Sequence, residues 1–596
     1  MTRQQDHAPP DGPITSLNSM ADKVHADMDA SNIASNAFAE QYEPPNDPAS
    51  FNNLGVELAN QGRLDEALAC YLNALALKPD FADAHSNMGL VFAAKGNSHD
   101  AITCYQTALL LRPDFAEANN NLGIELKEQG KLDEAMACFE RALASRPDFA
   151  EAYCNQGIAF HRQGKPDEAI ACYRKALALN PDDAETHNSM LLAMLYSGRY
   201  TPAEVFAEHR RFAHQFETPL RSAWRAHENV RDPHKRLRIG YVSPDFRSHP
   251  VATFIEPVLA SHDTTQFEVF CYYNHNYVDA TTLRLQEIVE HWIPCKHLSD
   301  EALAERIRVD GIDLLIDLAG HTGDNRLLTF ARKPAPVQVA YLGYPFSTGL
   351  SGIDFRITDS YAEPPGLTEQ YNSEQLWRLP QAFFCYAAPQ DSPSVPDRAP
   401  LEENGYVTFG CFNNFGKVTD HVIELWAKLL ARIPDARLAL VIFGIDDGHV
   451  RAEVESRFAR QGVASERLIL MAPVRENHLA LYNTIDIALD PFPFNGHTTS
   501  LDTLWMGVPL VTLAGLHFTS RMGVTTLLNA GLSELVAQTE QEYVDIAHTL
   551  ARAPNQLHSL RAILRKRLRA TPLMNAQCFT AELEQAYRRM WTTRCN

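Results

Sequence analysis

The chain of 596 residues is long enough for three or more domains, and 53 Lys and Arg against 74 Asp and Glu leave a formal charge of −21. That acidic balance opposes nucleic acid and anionic membrane surfaces as partners of the whole chain, although a local basic pocket for a phosphate needs only a few side chains. No apolar run reaches the roughly 18 residues of a membrane span, and the eleven cysteines include no C-x-x-C pair, so neither a membrane helix nor a zinc site is expected.

Residues 1–47 hold Pro, Asp, Asn and Ser without an apolar core. They read as a polar, disordered leader and not as a secretory signal, which points to a cytoplasmic address.

From residue 48 the chain repeats itself every 34 residues: Gly55, Gly89, Gly123 and Gly157; Gly62, Gly96, Gly130 and Gly164; Ala67, Ala101, Ala135 and Ala169; Pro79, Pro113, Pro147 and Pro181. An aromatic slot reads Tyr71, Tyr105, Phe139 and Tyr173, beside a small apolar slot of Cys70, Cys104, Cys138 and Cys172. Glycine and alanine let two antiparallel helices approach closely, the aromatic fills the gap and proline ends the second helix. These positions resemble the tetratricopeptide repeat: four full units over 48–183 and a partial fifth to 217, with Gly198 and Ala203 in register. Asn53, Asn87, Asn121 and Asn155 recur before the first core position, and Ser189 replaces them in the fifth unit. Asparagine is a poor mid-helix residue, so its recurrence has one of two causes. Either the amides bond to the neighbouring helix, or they line the groove and hold the backbone of an extended acceptor peptide, which is the expectation adopted.

After a connector at 218–236 the pattern changes to short apolar runs at 237–243, 267–273, 312–318, 336–342 and 355–359, with helical stretches between several of them. A Pro-rich linker at 389–404 precedes a second set at 407–412, 437–444, 467–471, 485–490 and 508–513. Alternating strands and helices imply parallel sheets, so 237–388 and 405–573 read as two doubly wound α/β halves with a cleft between them. Such an arrangement resembles that of the GT-B glycosyltransferases. Residues 574–596 hold a last helix, with Phe579, Leu583, Tyr587 and Trp591 on one face, packing back on the first half.

The stretch D-P-F-P-F-N-G-H-T-T-S-L-D (490–502) is a strand end, a turn and a helix start. Free N–H groups at such a start bind diphosphate, Thr498 and Thr499 add hydroxyls, and Asp502 stands one turn in to accept from a ribose. Lys417 follows another strand end and is placed to meet a leaving diphosphate. In A-P-V-R-E-N-H (472–478) His478 is placed to stack on a base and Arg475 to reach ribose or phosphate. Y-V-S-P-D-F-R-S-H-P (241–250) offers Asp245 and His249 at the acceptor side, and D-L-A-G-H-T-G-D-N-R (317–326) offers His321 there; imidazole titrates near neutral pH and suits a general base.

With S-P-D-F-x-x-H-P, R-K-P-A-P-V-Q (332–338), L-G-Y-P (342–345), I-T-D (357–359) and N-G-H-T-T (495–499) in this order, the chain from Leu237 onward resembles the protein O-GlcNAc transferases, inverting GT-B enzymes with tetratricopeptide repeats upstream. The resemblance implies transfer from UDP-GlcNAc to Ser or Thr hydroxyls of proteins. It implies His249 on the acceptor side and Lys417 at the leaving diphosphate. Asn414 stands where animal members have glutamine, His478 falls on uracil, His497, Thr498 and Thr499 on the diphosphate, and Asp502 on the ribose. No cofactor or metal is implied beyond the donor substrate. Arg475 and Gly416 depart from the lysine and tyrosine of the animal enzymes, and the linker replaces their large intervening domain, as in a bacterial-type member. The chain also resembles the SPINDLY-type O-fucosyltransferases, which use GDP-fucose. A repeat scaffold with a vestigial transferase is the reading from another class. His249, Asp245, His321 and the donor phosphate all stay open as the group that takes the proton.

Overall fold

The computed structural model describes residues 47–474 and 477–595. The leader at 1–46 and Arg475 lie outside the described residues. Two compact units divide at 159/160, inside the helix Ala150–Arg162 of the fourth repeat and not at the end of the repeats near 217.

In the unit ending at residue 159, helix pairs Pro48–Asn60/Leu64–Leu77, Ala82–Ala94/Ser98–Leu111 and Ala116–Glu128/Leu132–Ser145 lead into the helix Ala150–Arg162. The first glycine series serves close approach: a Cβ at Gly55, Gly89 or Gly123 would lie 2.5, 2.6 or 2.5 Å from the Tyr71, Tyr105 or Phe139 ring, and all three rings are buried. The second series acts differently. Gly62, Gly96 and Gly130 have φ of +76°, +76° and +82°, a left-handed turn between the paired helices that disfavours any side chain. Cys70, Cys104 and Cys138 of the small apolar slot are free thiols and buried. Burial pushes the Cys70 thiol up to about 11, which keeps it protonated and apolar in behaviour.

The asparagine register does not form a uniform ladder. Asn87 Nδ2 donates to Asn52 Oδ1 (2.9 Å) and Asn155 Nδ2 donates to Asn120 Oδ1 (3.1 Å), so these two join consecutive repeats. Asn53 is exposed and Asn121 half-buried. The expectation of four groove-lining amides is therefore corrected for Asn87 and Asn155. An acceptor partner one residue earlier on the preceding repeat captures them, because residues 34 to 35 apart face each other across stacked helices.

The second unit carries the remaining repeat helices, Pro166–Leu179, Ala184–Tyr196 and Pro202–Phe216, and both sheets. The first sheet is wholly parallel: β1 Leu237–Ser243, β2 Phe267–Tyr273, β3 His291–Pro294, β4 Leu314–Asp317, β5 Val337–Ala340, β6 Phe355–Asp359 and β7 Gln375–Leu379, in the order β3-β2-β1-β4-β5-β6-β7. The second is parallel too: β8 Thr408–Cys411, β9 Arg437–Val441, β10 Leu468–Met471, β11 Ile487–Leu489, β12 Leu510–Leu513 and β13 Val536–Ala537, in the order β10-β9-β8-β11-β12-β13. Helices cover both faces of each sheet, which is why the central strands read as unbroken apolar runs.

The segment at 218–236 is fastened to the first half by Trp224 Nε1 on the Ala331 carbonyl (2.8 Å) and Asn229 Nδ2 on Asp313 Oδ1 (2.8 Å). The final helix, Ala576–Cys595, buries Phe579, Leu583, Tyr587 and Trp591, with Trp591 Nε1 donating to the Asp232 carbonyl (2.9 Å). Among the described residues no helix is long and apolar enough to cross a membrane.

Candidate functional site

Each sheet reverses its strand order at one place, between β1 and β4 in the first and between β8 and β11 in the second. The carboxyl ends beside such a reversal open the crevice in which parallel sheets bind ligands. The stretches singled out by sequence at 244–250, 318–326, 412–419 and 490–499 follow these four strands in turn.

On the second half, Lys417 ends a short 3-10 turn, Phe415–Lys417, after β8. Its Nζ donates to the Asn495 carbonyl (2.9 Å), lies 3.4 Å from Asn413 Oδ1 and sits 4.5 Å from the centre of the Phe494 ring. Burial lowers its affinity for the proton and nearby Asp490 opposes that. The loop after β11 wraps this ammonium. Gly496 must lack a side chain, since a Cβ there would come 2.6 Å from Ser500 Oγ and 2.9 Å from Asn413 Oδ1. The helix Thr498–Trp505 begins immediately after, with Thr498 and Thr499 half-buried in its first turn.

His497 stands at that helix start and is stacked on Phe254 of the first half, ring centres 4.2 Å apart and 14° between planes. Phe383 and Phe384 pack on its other sides. This apolar box, with the Lys417 charge adding to it, pushes the imidazole down to about 3, so the ring is neutral at physiological pH. His497 Nε2, Ser500 Oγ and Asn495 Oδ1 are all buried without a protein partner. Orphaned buried polar atoms are costly; beside an ammonium and a helix start, His497 Nε2 and Ser500 Oγ can each donate to an oxyanion, whereas Asn495 Oδ1 can only accept.

Asp502 is buried one turn into the helix, where its Oδ1 accepts from Tyr386 Oη (2.5 Å) and its Oδ2 lies 3.6 Å from His478 Nε2. The Asp502 carboxylate raises the His478 imidazole above its ordinary value, and the ring is exposed at the rim. Asn414 is exposed, its Oδ1 accepting from the Gly416 N–H (2.9 Å).

On the first half, Asp245 and His249 come together: Asp245 Oδ1 lies 3.5 Å from His249 Nδ1 and 3.6 Å from Arg247 Nη2. Burial pushes the Asp245 carboxyl up to about 6 and the His249 imidazole down to about 4, with the Arg247 charge adding to the latter. His249 caps the helix Pro250–Leu259, its Nδ1 accepting from the Val251 N–H (3.3 Å). That role places the proton of the neutral ring on Nε2.

His321 does not belong to this group, contrary to the sequence expectation. It is 1 % exposed, its Nδ1 paired with Asn188 Oδ1 (2.6 Å) and its Nε2 with the Thr348 carbonyl (2.8 Å). His209 packs edge-on against it and is bonded to Tyr344 Oη (2.8 Å). Burial drives the His321 imidazole well below its ordinary value. It is a strut between the helix Ala184–Tyr196 and the first half: each nitrogen faces a polar partner, and the neutral ring has one N–H to give.

Sequence reasoning passed over Asp490, Asn413, Tyr386 and the aromatic box. Asp490 heads the singled-out loop, and its place at a strand end before a Pro turn was the available signal. Nothing local marked Tyr386, Phe383 or Phe384, which reach the site through folding. Tyr196, at the end of a repeat helix, rests on Phe494 with ring centres 4.3 Å apart, so the repeat segment of this unit forms a wall behind Lys417.

The sequence profile of glycosyl transferase family 41 matches residues 183–405 and 396–583, and tetratricopeptide repeat profiles match 55–96, 80–148 and 120–184. Among named relatives, the probable UDP-N-acetylglucosamine–peptide N-acetylglucosaminyltransferase SPINDLY of Arabidopsis thaliana is 39% identical over 412 residues, 68% of this chain and 45% of its own. SEC of the same plant, with the same probable activity in its name, is 34% identical over 61% of this chain and 38% of its own. The chain thus spans less than half the length of these plant relatives. A solved mutant of the Thermobaculum terrenum O-GlcNAc transferase is 38% identical, covers 86% of this chain and 98% of its own, and superposes with a TM-score of 0.81.

Proposed function

The chain belongs to glycosyl transferase family 41, and we propose that it transfers N-acetylglucosamine from UDP-GlcNAc to Ser or Thr hydroxyls of cytoplasmic proteins, inverting the anomeric centre. One observation carries the proposal: the Lys417 ammonium, bonded to the loop after β11, meets there the helix start at Thr498 and the orphaned His497 Nε2 and Ser500 Oγ. In this reading the diphosphate lies on that loop, its oxygens completing the unpaired atoms. Asp502 and His478 stand where ribose and base would lie, one turn further along the helix and at the rim.

The acceptor hydroxyl attacks from the first half, on the face of the sugar opposite the diphosphate. As the anomeric C–O bond breaks, the electron pair goes to the β-phosphate, whose growing charge Lys417 and the helix N–H groups stabilise in place, with the nucleotide-sugar as substrate and no further cofactor. Of the acceptor-side groups Asp245 is the better proton acceptor. Its carboxyl, near 6, is mostly ionised at neutral pH, whereas His249 with its proton on Nε2 offers no lone pair outward.

Incubation with UDP-GlcNAc and a Ser/Thr-containing protein, read by mass spectrometry, is expected to add N-acetylhexosamine to the acceptor. Addition of deoxyhexose from GDP-fucose in its place would overturn the donor assignment, and no transfer from either would leave the scaffold reading.

A further inference from the structure

The loop that carries the orphaned atoms is clasped from two sides. Lys417 Nζ donates to the carbonyl of Asn495 (2.9 Å), and the N–H of the next residue, Gly496, donates to Asp490 Oδ1 (2.7 Å). The other carboxylate oxygen, Asp490 Oδ2, accepts from Thr512 Oγ1 on β12 (2.6 Å). Asp490 is 0 % exposed, and its surroundings are sealed: a Cβ on Gly523 would fall 2.4 Å from Oδ2. A carboxylate this deep is costly unless a positive charge answers it, and both of its hydrogen-bond partners are donors, which fit the ionised form.

The charged and titratable groups around the pair are few. Lys417 is the cation that acts on Asp490. Asp490 and the Cys411 thiol on β8 act on Lys417, and His497 feels the lysine charge from the loop. Tyr543 donates to the Asp490 backbone carbonyl (3.0 Å).

We propose that Asp490 is a positioning residue for Lys417, its buried carboxylate fixing the loop to which the ammonium is anchored and supplying the negative charge against which that ammonium is held. The proposal rests on the donor-site reading given above. Burial pushes the Asp490 carboxyl up to about 7 and the Lys417 charge opposes that, so the two groups favour each other's charge across the loop and the diphosphate meets a lysine already aimed. Burial works against the Lys417 charge and Asp490 works for it, so removing the Asp490 charge lowers the pH at which the lysine is lost.

The test is the pH dependence of UDP affinity, by calorimetry, in the wild type, Asp490→Asn, Lys417→Arg and the double variant. Asparagine can still accept from Gly496 and donate to Thr512, so the fold has its bonds. In Asp490→Asn the alkaline loss of affinity is expected to begin about one pH unit lower. With Lys417→Arg, whose guanidinium stays charged, Asp490→Asn is expected to cause no such shift, the ionisation of the uracil ring being common to all four proteins. A uniform loss of affinity at every pH, with no displacement of the alkaline limb, would overturn the proposal and reduce Asp490 to a loop brace. Should Asp490→Asn not fold, Thr512→Val removes one donor to the carboxylate and is expected to shift the limb the same way by less; an unmoved limb there counts equally against it. Wild-type protein that binds no UDP would instead defeat the donor-site reading itself.

Discussion

The loops after β4 and β11 are built alike and do different work. Each starts on a strand-end aspartate sealed from solvent, Asp317 at 2 % and Asp490 at 0 % exposure. In each the carboxylate accepts backbone N–H groups of its own loop, from Ala319 and Gly320 at 3.1 and 2.8 Å or from Gly496 at 2.7 Å. Each then presents a histidine whose ring burial holds neutral, His321 or His497. In the first loop a repeat helix supplies Asn188 and the Thr348 carbonyl completes the second nitrogen. In the second, aromatic faces box the ring and its Nε2 is left unpaired. Strand-end position thus sets where a histidine stands, and the elements that later fold over it decide whether it braces the molecule or meets a ligand.

The sharpest way to break this contrast is to remove the charge on the β11 side. Lys417→Ala is expected to lower turnover by about 100-fold or more while changing the Michaelis constant little, because the lost charge matters most as the diphosphate departs. A variant that turns over normally at saturating donor would assign Lys417 to ground-state binding. Next come the two histidines, each replaced by phenylalanine, which keeps a ring in place. His321→Phe leaves the Asn188 amide and the Thr348 carbonyl buried without their ring partner, so denaturant unfolding is expected to show a loss of about 2–4 kcal/mol with UDP affinity unchanged. His497→Phe is expected to do the reverse: unfolding stability held, UDP affinity down about tenfold, the scale of one hydrogen bond to a charged group. If both variants lose stability equally and bind UDP equally, the distinction between strut and ligand group is wrong.

The smallest effect divides the asparagines in the same way. Asn87→Ala with Asn155→Ala removes two inter-repeat bonds and is expected to cost about 1 kcal/mol for each. Asn53→Ala with Asn121→Ala is expected to leave unfolding unchanged and to slow transfer to long protein acceptors more than to short peptides. Equal transfer rates for both acceptor lengths would remove these amides from acceptor binding.

What could be read from the residues follows the same physics. Central strands were legible because parallel strands buried on both faces are continuous apolar runs, and β1, β2 and β6 fall where 237–243, 267–273 and 355–359 placed them. The unread strands β3, β7 and β13 are all at sheet edges, where half-exposed residues such as His291, Trp292 and Trp377 break the run. The repeats were plain from their 34-residue period, but the two glycine series looked equivalent until one proved to serve packing and the other a positive φ. At the site, Lys417, His497 and Asp502 were legible through strand-end and helix-start context. The pairing of His321 with Asn188, of Tyr386 with Asp502 and of Tyr196 with Phe494 joins residues far apart in the chain, and no local pattern announces such partners.

The central claim is that the loop after β11 receives a uridine diphosphate. Calorimetric titration of the wild-type protein with UDP and with GDP tests it most directly. Binding of UDP at least about tenfold tighter than GDP, a difference of about 1.4 kcal/mol, is the result predicted; equal affinity, or a preference for GDP, would contradict it.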